Sequence, residues 1–149
     1  MIGRYFEEFT VGSEIVSAGQ TLTLESMIAF ATLYDPQNFH IDVEAAKSSP
    51  YGGLIASGFQ TLSVGFRMFL GTGVLEGTSF GSPGMDELRW LQPVWPGDTL
   101  HTIARVIEAR PSASKPDRGL VRAAFRVLNQ RDEAVLTFST IVFVKRRPV

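Results

Sequence analysis

Residues 57–70 read SGFQTLSVGFRMFL, and the fold turns on this stretch. Phe59, Leu62, Phe66 and Phe69 recur at steps of three or four, the spacing of one face of an α-helix. An aromatic stripe of this kind is foremost the face that a helix buries against a sheet. Ser57 and Gln60 stand at the spacing of a capping box, in which the two side chains satisfy each other's backbone N–H groups. A helix over 58–70 is therefore predicted, beginning sharply at Ser57.

Upstream, Leu24, Met27, Ile28, Ala31 and Tyr34 follow helical spacing, with Thr23 placed to cap the start. Pro36 disfavours helical geometry at the residue before it, so this helix ends at or just before Asp35. A short helix over 43–47 can begin with Asp42 as its cap, and SSPYGG at 48–53 is turn material. Downstream, strands are predicted near 86–92, 98–108, 119–129 and 134–145, with another within 14–21. Val121, Ala123, Phe125 and Val127 alternate with Arg122, Ala124, Arg126 and Leu128, as in a strand with one buried face. The last segment, AVLTFSTIVFVK, is apolar on both faces and is expected at the centre of the sheet. Early helices followed by a run of strands indicate the α+β class, with an antiparallel sheet and the long helix on one face.

A chain of 149 residues with 44% apolar side chains suits one domain over 1–149, and no linker or repeat divides it. Without cysteine there is no disulfide or thiolate metal site, which agrees with a reducing compartment and makes the cytoplasm the expected location. The net charge is −1 with the two signs interspersed, so no broad field attracts a phosphate backbone. No stretch approaches the ~20 apolar residues that span a bilayer, and the N-terminus lacks an apolar signal core. Neither nucleic acid nor membrane is an expected partner. The two histidines, His40 and His101, are too few for a multi-histidine metal site. No GxSxG elbow, Walker loop or GxGxxG turn is present, which argues against nucleophilic serine and dinucleotide chemistry.

What remains is YDPQNFH at 34–40. Because Pro36 breaks the helix, Asp35 and His40 are expected on an irregular segment where side chains five apart can converge. Spacing alone favours the plainer reading, in which Asp35 turns the backbone and His40 is a satisfied, half-buried histidine. Chemistry adds weight to the other. A carboxylate at a helix C-terminus faces the negative end of the dipole, which disfavours its charged form and brings it toward acid–base work near neutral pH. Histidine already titrates there. The start of the 58–70 helix offers free N–H groups, and Gly58 lets a ligand carbonyl come close.

The stretch YDPQNFHID, followed by LIASGFQT and LRWLQPVWPGDTL, resembles the MaoC-like dehydratase family, which includes (R)-specific enoyl-CoA hydratases. The resemblance implies a hot-dog fold, with a long central helix wrapped by a curved antiparallel sheet, and a homodimer or higher homo-oligomer. It implies that Asp35 and His40 hold and activate water, and that the Gly58 N–H binds a thioester carbonyl. The substrate would be a coenzyme A or acyl-carrier thioester, with no further cofactor and no metal. Hydratases of the family often carry His-Gly where this chain has Ser57-Gly58, and a serine within the helix where Phe66 aligns. Ser57 and Phe59 are candidate substrate contacts, and Lys115 and Arg118 are candidates for the coenzyme's phosphates, as are Lys145, Arg146 and Arg147 near the C-terminus. The same fold hosts thioesterases and would suit a non-catalytic acyl-CoA-binding protein, so fold alone does not choose among the three. If Gly58 is the first helical position, Gly58→Pro would delete the N–H with little damage, and Gly58→Ala would be the mild control.

Overall fold

Thr23 and Ser57 cap the two long helices as the sequence predicts, and the strands follow in order behind them. The computed structural model describes residues 2–149. A 3₁₀ turn at Phe6–Glu8 leads into β1 (Glu14–Val16) and β2 (Gln20–Thr21), so the segment expected as one strand is broken in two. Next come α1 (Leu24–Tyr34), α2 (Asn38–Ile41), α3 (Val43–Ala46) and α4 (Gly58–Leu70). β3 (Met85–Trp90), β4 (Thr99–Pro111), β5 (Arg118–Leu128) and β6 (Ala134–Lys145) complete the chain. Thr23 Oγ1 accepts the Ser26 N–H, and Asp42 accepts the N–H groups of Glu44 and Ala45 at the start of α3.

All strand pairings are antiparallel, in the order β1-β4-β5-β6-β3, with β2 added beside β4. β6 is thus interior as its apolar faces require, but β5 takes the middle place. Register shifts in the β3/β6, β4/β5 and β5/β6 pairs bend the strands around α4. Phe125 of β5 anchors the core. It stacks on Phe138 with centroids 4.6 Å apart and meets the edge of Phe69 at 4.8 Å.

The face that α4 buries differs from the aromatic stripe. Its deeply buried residues are Gln60, Thr61, Gly65, Met68 and Phe69, while Leu62 and Phe66 are half-buried and Phe59 is 55% exposed. Gly65 explains the rotation. A Cβ there would come within 2.6 Å of Val127 Cγ2, and the Gly65 carbonyl accepts the Thr102 hydroxyl at 2.8 Å. The helix therefore packs on its smallest residue, and Phe59 and Phe66 are left beside two clefts.

Candidate active site

Helix α1 stops at Asp35, whose backbone leaves helical geometry at φ −157°, ψ 64° in front of Pro36. The chain does not stay irregular to His40 as expected. It re-enters the single turn of α2, and that turn aims the imidazole back at Asp35. His40 Nε2 lies 3.3 Å from Asp35 Oδ2. On the other side of the ring, His40 Nδ1 is 2.8 Å from the Ile55 carbonyl, which can only accept, so Nδ1 carries a proton. Nε2 is then the atom left to exchange protons with the cleft.

Both oxygens of Asp35 are engaged. Oδ1 accepts the Gln37 side-chain amide at 2.7 Å, and Oδ2 accepts the Ser57 hydroxyl at 2.7 Å. Burial, the largest single influence, pushes the Asp35 carboxyl up, but the hydrogen bonds from Gln37 and Ser57 and the charge of His40 outweigh it. The carboxyl is held below its usual range, the reverse of the direction expected from the end of α1. The dipole of α1 is overridden because donors in direct contact with a carboxylate act more strongly than a helix end.

Ser57 caps α4, although the capping box does not form. Its Oγ accepts the Phe59 N–H at 3.2 Å, while the Gln60 side chain turns away to donate to the Ser26 carbonyl at 3.3 Å. The N–H groups of Gln60 and Thr61 bond to the Ser57 carbonyl. The Gly58 N–H has no acceptor among the described residues. Gly58 lines a cleft of about 540 Å³ together with Asp35, His40, Phe59, Tyr51 and Trp90, whose ring meets Phe59 edge-on at 5.8 Å.

The structure thus gathers Asp35, His40, Ser57, Gly58 and Phe59 at one end of α4. Lys115 and Arg118 are elsewhere in the chain. Arg118 pairs with Lys145 at one end of β6, and Trp90 pairs with Leu136 at the other, nine residues or about 30 Å away at ~3.3 Å per residue. Arg118 is ion-paired to Asp117 and lies 4.3 Å over the Phe80 ring. Arg146 and Arg147 are paired with Glu7 and Glu8. Phe66 packs against Phe69 and Phe125 and borders a second, separate cleft. Sequence reasoning missed Gln37 and Trp90. Gln37 stands two residues from Asp35, a spacing open to inspection, whereas Trp90 reaches the cleft only through the sheet.

The MaoC-like domain profile matches residues 8–123, and the chain belongs to the MaoC-like dehydratase family. It is similar to the crystal structure of a MaoC-like dehydratase from Rhodospirillum rubrum, with 39% identity and a TM-score of 0.92 over 99% of this chain and 100% of that one. It is 30% identical over 148 residues to the mesaconyl-CoA hydratase of Cereibacter sphaeroides, covering 97% of this chain but only 42% of that enzyme's length. A conserved hypothetical protein of Mycobacterium tuberculosis with a double hot-dog fold superposes with a TM-score of 0.78 at 23% identity, over 98% of this chain and 45% of that one. The sheet and central helix of this chain are the hot-dog fold.

Proposed function

We propose that this protein is a hydro-lyase that adds or removes water at the double bond of an enoyl or 3-hydroxyacyl thioester of the acyl-CoA type. One observation carries the reading: a carboxylate whose two oxygens accept from Gln37 and Ser57, an imidazole whose Nε2 meets that carboxylate, and the first N–H of α4, with no acceptor among the described residues, stand together at one cleft. Hydration needs these three parts. The thioester carbonyl sits at the Gly58 N–H, which stabilises the negative charge that develops on its oxygen. Asp35 takes a proton from water as the oxygen attacks C3, and His40, as imidazolium, gives its Nε2 proton to C2. Asp35 is left protonated and His40 neutral, and transfer across their 3.3 Å gap restores the pair. Dehydration runs the same steps backward. Both groups stand on one wall of the cleft, so addition is syn.

The substrate's acyl group is uncharged in this reading. Among the described residues lining the cleft there is no lysine or arginine, and Phe39, Tyr51, Phe59, Trp90 and Leu91 present apolar surface. The thioester carrier is coenzyme A or an acyl-carrier protein, and the chemistry asks for no other cofactor and no metal. No helix among the described residues is long and apolar enough to cross a membrane. A cysteine-free chain acting on acyl thioesters fits the cytoplasm.

The functional unit is a homodimer or higher homo-oligomer. β3 is an edge strand whose outer side has no partner among the described residues, and Met85 and Trp90 on it and Leu91 just after it are each 40% exposed or more. A second copy of the chain satisfies that edge.

The deciding experiment mixes the protein with crotonyl-CoA and follows loss of the conjugated absorbance and the chirality of the 3-hydroxy product. A saturated acyl-CoA serves alongside. Hydration of the first and no free coenzyme A from the second is the expected result. Free coenzyme A would make the protein a thioesterase, and binding without turnover of either would make it a non-catalytic carrier.

A further inference from the structure

Ser57 is fully buried, with no exposure to solvent, between Ala56 and Gly58, which both line the cleft. Its hydroxyl lies between two partners, the Phe59 N–H at 3.2 Å and Asp35 Oδ2 at 2.7 Å. The direction of both bonds follows from chemistry. An N–H can only donate, so Ser57 Oγ accepts from Phe59 and its single proton goes to Asp35. The cap of α4 thereby orients the hydroxyl, and the oriented hydroxyl presents a donor to the carboxylate. A proton placed on Oδ2 would oppose it.

The same Oδ2 is the oxygen 3.3 Å from His40 Nε2. Gln37 holds the other oxygen, but Gln37 is exposed and competes with water, whereas the Ser57 bond is shielded. Ser57 also immediately precedes Gly58. One buried residue therefore ties the acid–base pair to the N–H proposed to bind the thioester carbonyl.

The geometry points to Ser57 as a positioning residue: beyond capping α4, its hydroxyl holds Asp35 Oδ2 as an acceptor facing His40 and sets the pair in register with the Gly58 N–H. This role deepens the hydration reading and rests on it for its kinetic consequence, while the hold on Asp35 stands apart from it. The lowered proton affinity of Asp35 agrees with the geometry. The other titratable side chains lining the cleft are His40 and Tyr51, and no cation or second carboxylate among the described residues lines it.

The sign of the effect is fixed. A hydrogen bond to the charged form favours that form, so its removal raises the pH at which Asp35 gains a proton. If ionised Asp35 is the base, the acid limb of kcat/KM moves to higher pH with it.

Capping and positioning are separable because glycine is nearly as good an N-cap as serine, costing only a few tenths of a kcal/mol, yet has no hydroxyl. The test compares the parent with Ser57→Gly, Ser57→Ala and Ser57→Thr. Two readouts are taken: the titration of the Asp35 carboxyl by carbon NMR in the resting protein, and the pH profile of crotonyl-CoA hydration. Ser57→Gly should fold with a melting temperature close to the parent, titrate Asp35 at higher pH, and lose about tenfold in kcat with KM little changed. Ser57→Ala should show the same shift together with a lower melting temperature, and Ser57→Thr, which keeps the hydroxyl, should restore the titration. A folded Ser57→Gly or Ser57→Ala protein with Asp35 titrating as in the parent overturns the proposal and leaves Ser57 a helix cap alone. Should the parent hydrate no enoyl-CoA, the hydration reading fails, and the NMR titration still decides the role of Ser57.

Discussion

The indole of Trp90 lies against the backbone of Gly58: Nε1 donates to the Gly58 carbonyl at 2.9 Å. A Cβ built at Gly58 would fall within 2.9 Å of Trp90 Cδ2 and closer still to Cε2 and Nε1. Glycine is thus required at position 58 by a wall of the cleft, and the sequence-based view of Gly58→Ala as a mild control is corrected. Proline carries a carbon at the same place, so Gly58→Pro alone does not isolate the N–H either.

Lowering that wall restores the experiment. Gly58→Ala should lose at least about 10²-fold in hydration, and Trp90→Leu in the same chain should recover a large part of it, because the two residues conflict directly. In the Trp90→Leu background, Gly58→Pro should then be about 10² to 10³ below Gly58→Ala, the usual cost of one oxyanion donor. Equal activity of the two double variants in steady-state assays would remove the Gly58 N–H from the mechanism.

Asp35→Asn and His40→Gln should each lower hydration by at least about 10²-fold with the fold intact by circular dichroism, since each deletes one proton-transfer partner. The two share one oxygen–nitrogen contact, so the double variant should cost far less than the product of the singles. Near-parental turnover in either single variant would refute the acid–base assignment.

Acyl groups that carry a free carboxylate should be poor substrates. A second negative charge in the cleft would meet ionised Asp35 and no facing cation among the lining residues described. Competition between crotonyl-CoA and mesaconyl-CoA should favour the former by at least about tenfold in kcat/KM, each 1.36 kcal/mol of discrimination being worth that factor. A preference for mesaconyl-CoA would show that a cation reaches the cleft from another chain.

Gly65→Ala should destabilise the protein by about 1 to 3 kcal/mol, the range for overpacking a filled core, because its methyl group meets Val127. Alanine is the better helix former, so propensity alone predicts the opposite sign. Urea denaturation of the two proteins decides between packing and propensity.

The protein should be a dimer or larger at micromolar concentration by light scattering. A monomer would mean that the open edge of β3 is tolerated, and would contradict the assembly proposed from it.

Most of the fold was legible because it rests on local signals. Thr23, Asp42 and Ser57 mark helix starts by the chemistry of a single oxygen, Pro36 marks a stop, and the alternation through Val121, Ala123, Phe125 and Val127 marks a half-buried strand. The Asp35–His40 pair was legible as a candidate because only four residues separate its members. The break between β1 and β2, the rotation of α4 onto Gly65 and the turn of helix that carries His40 were not, since each is settled by what packs against it.

By itself, then, the sequence determined the order and caps of the elements, the apolar face of β5 and the residues that carry chemistry, all being matters of neighbours a few positions apart. Tertiary structure decided the buried hydrogen bond that Asp35 Oδ2 accepts from Ser57, 22 residues away, and the necessity of glycine at 58, which depends on Trp90, 32 residues away. It also decided which cations stand beside the cleft in one chain, placing Lys115 and Arg118 at the opposite end of the sheet. The physical reason is common to all three: proton affinity, close approach and charge proximity are set by distances in space, and antiparallel pairing brings together residues whose separation along the chain carries no signal.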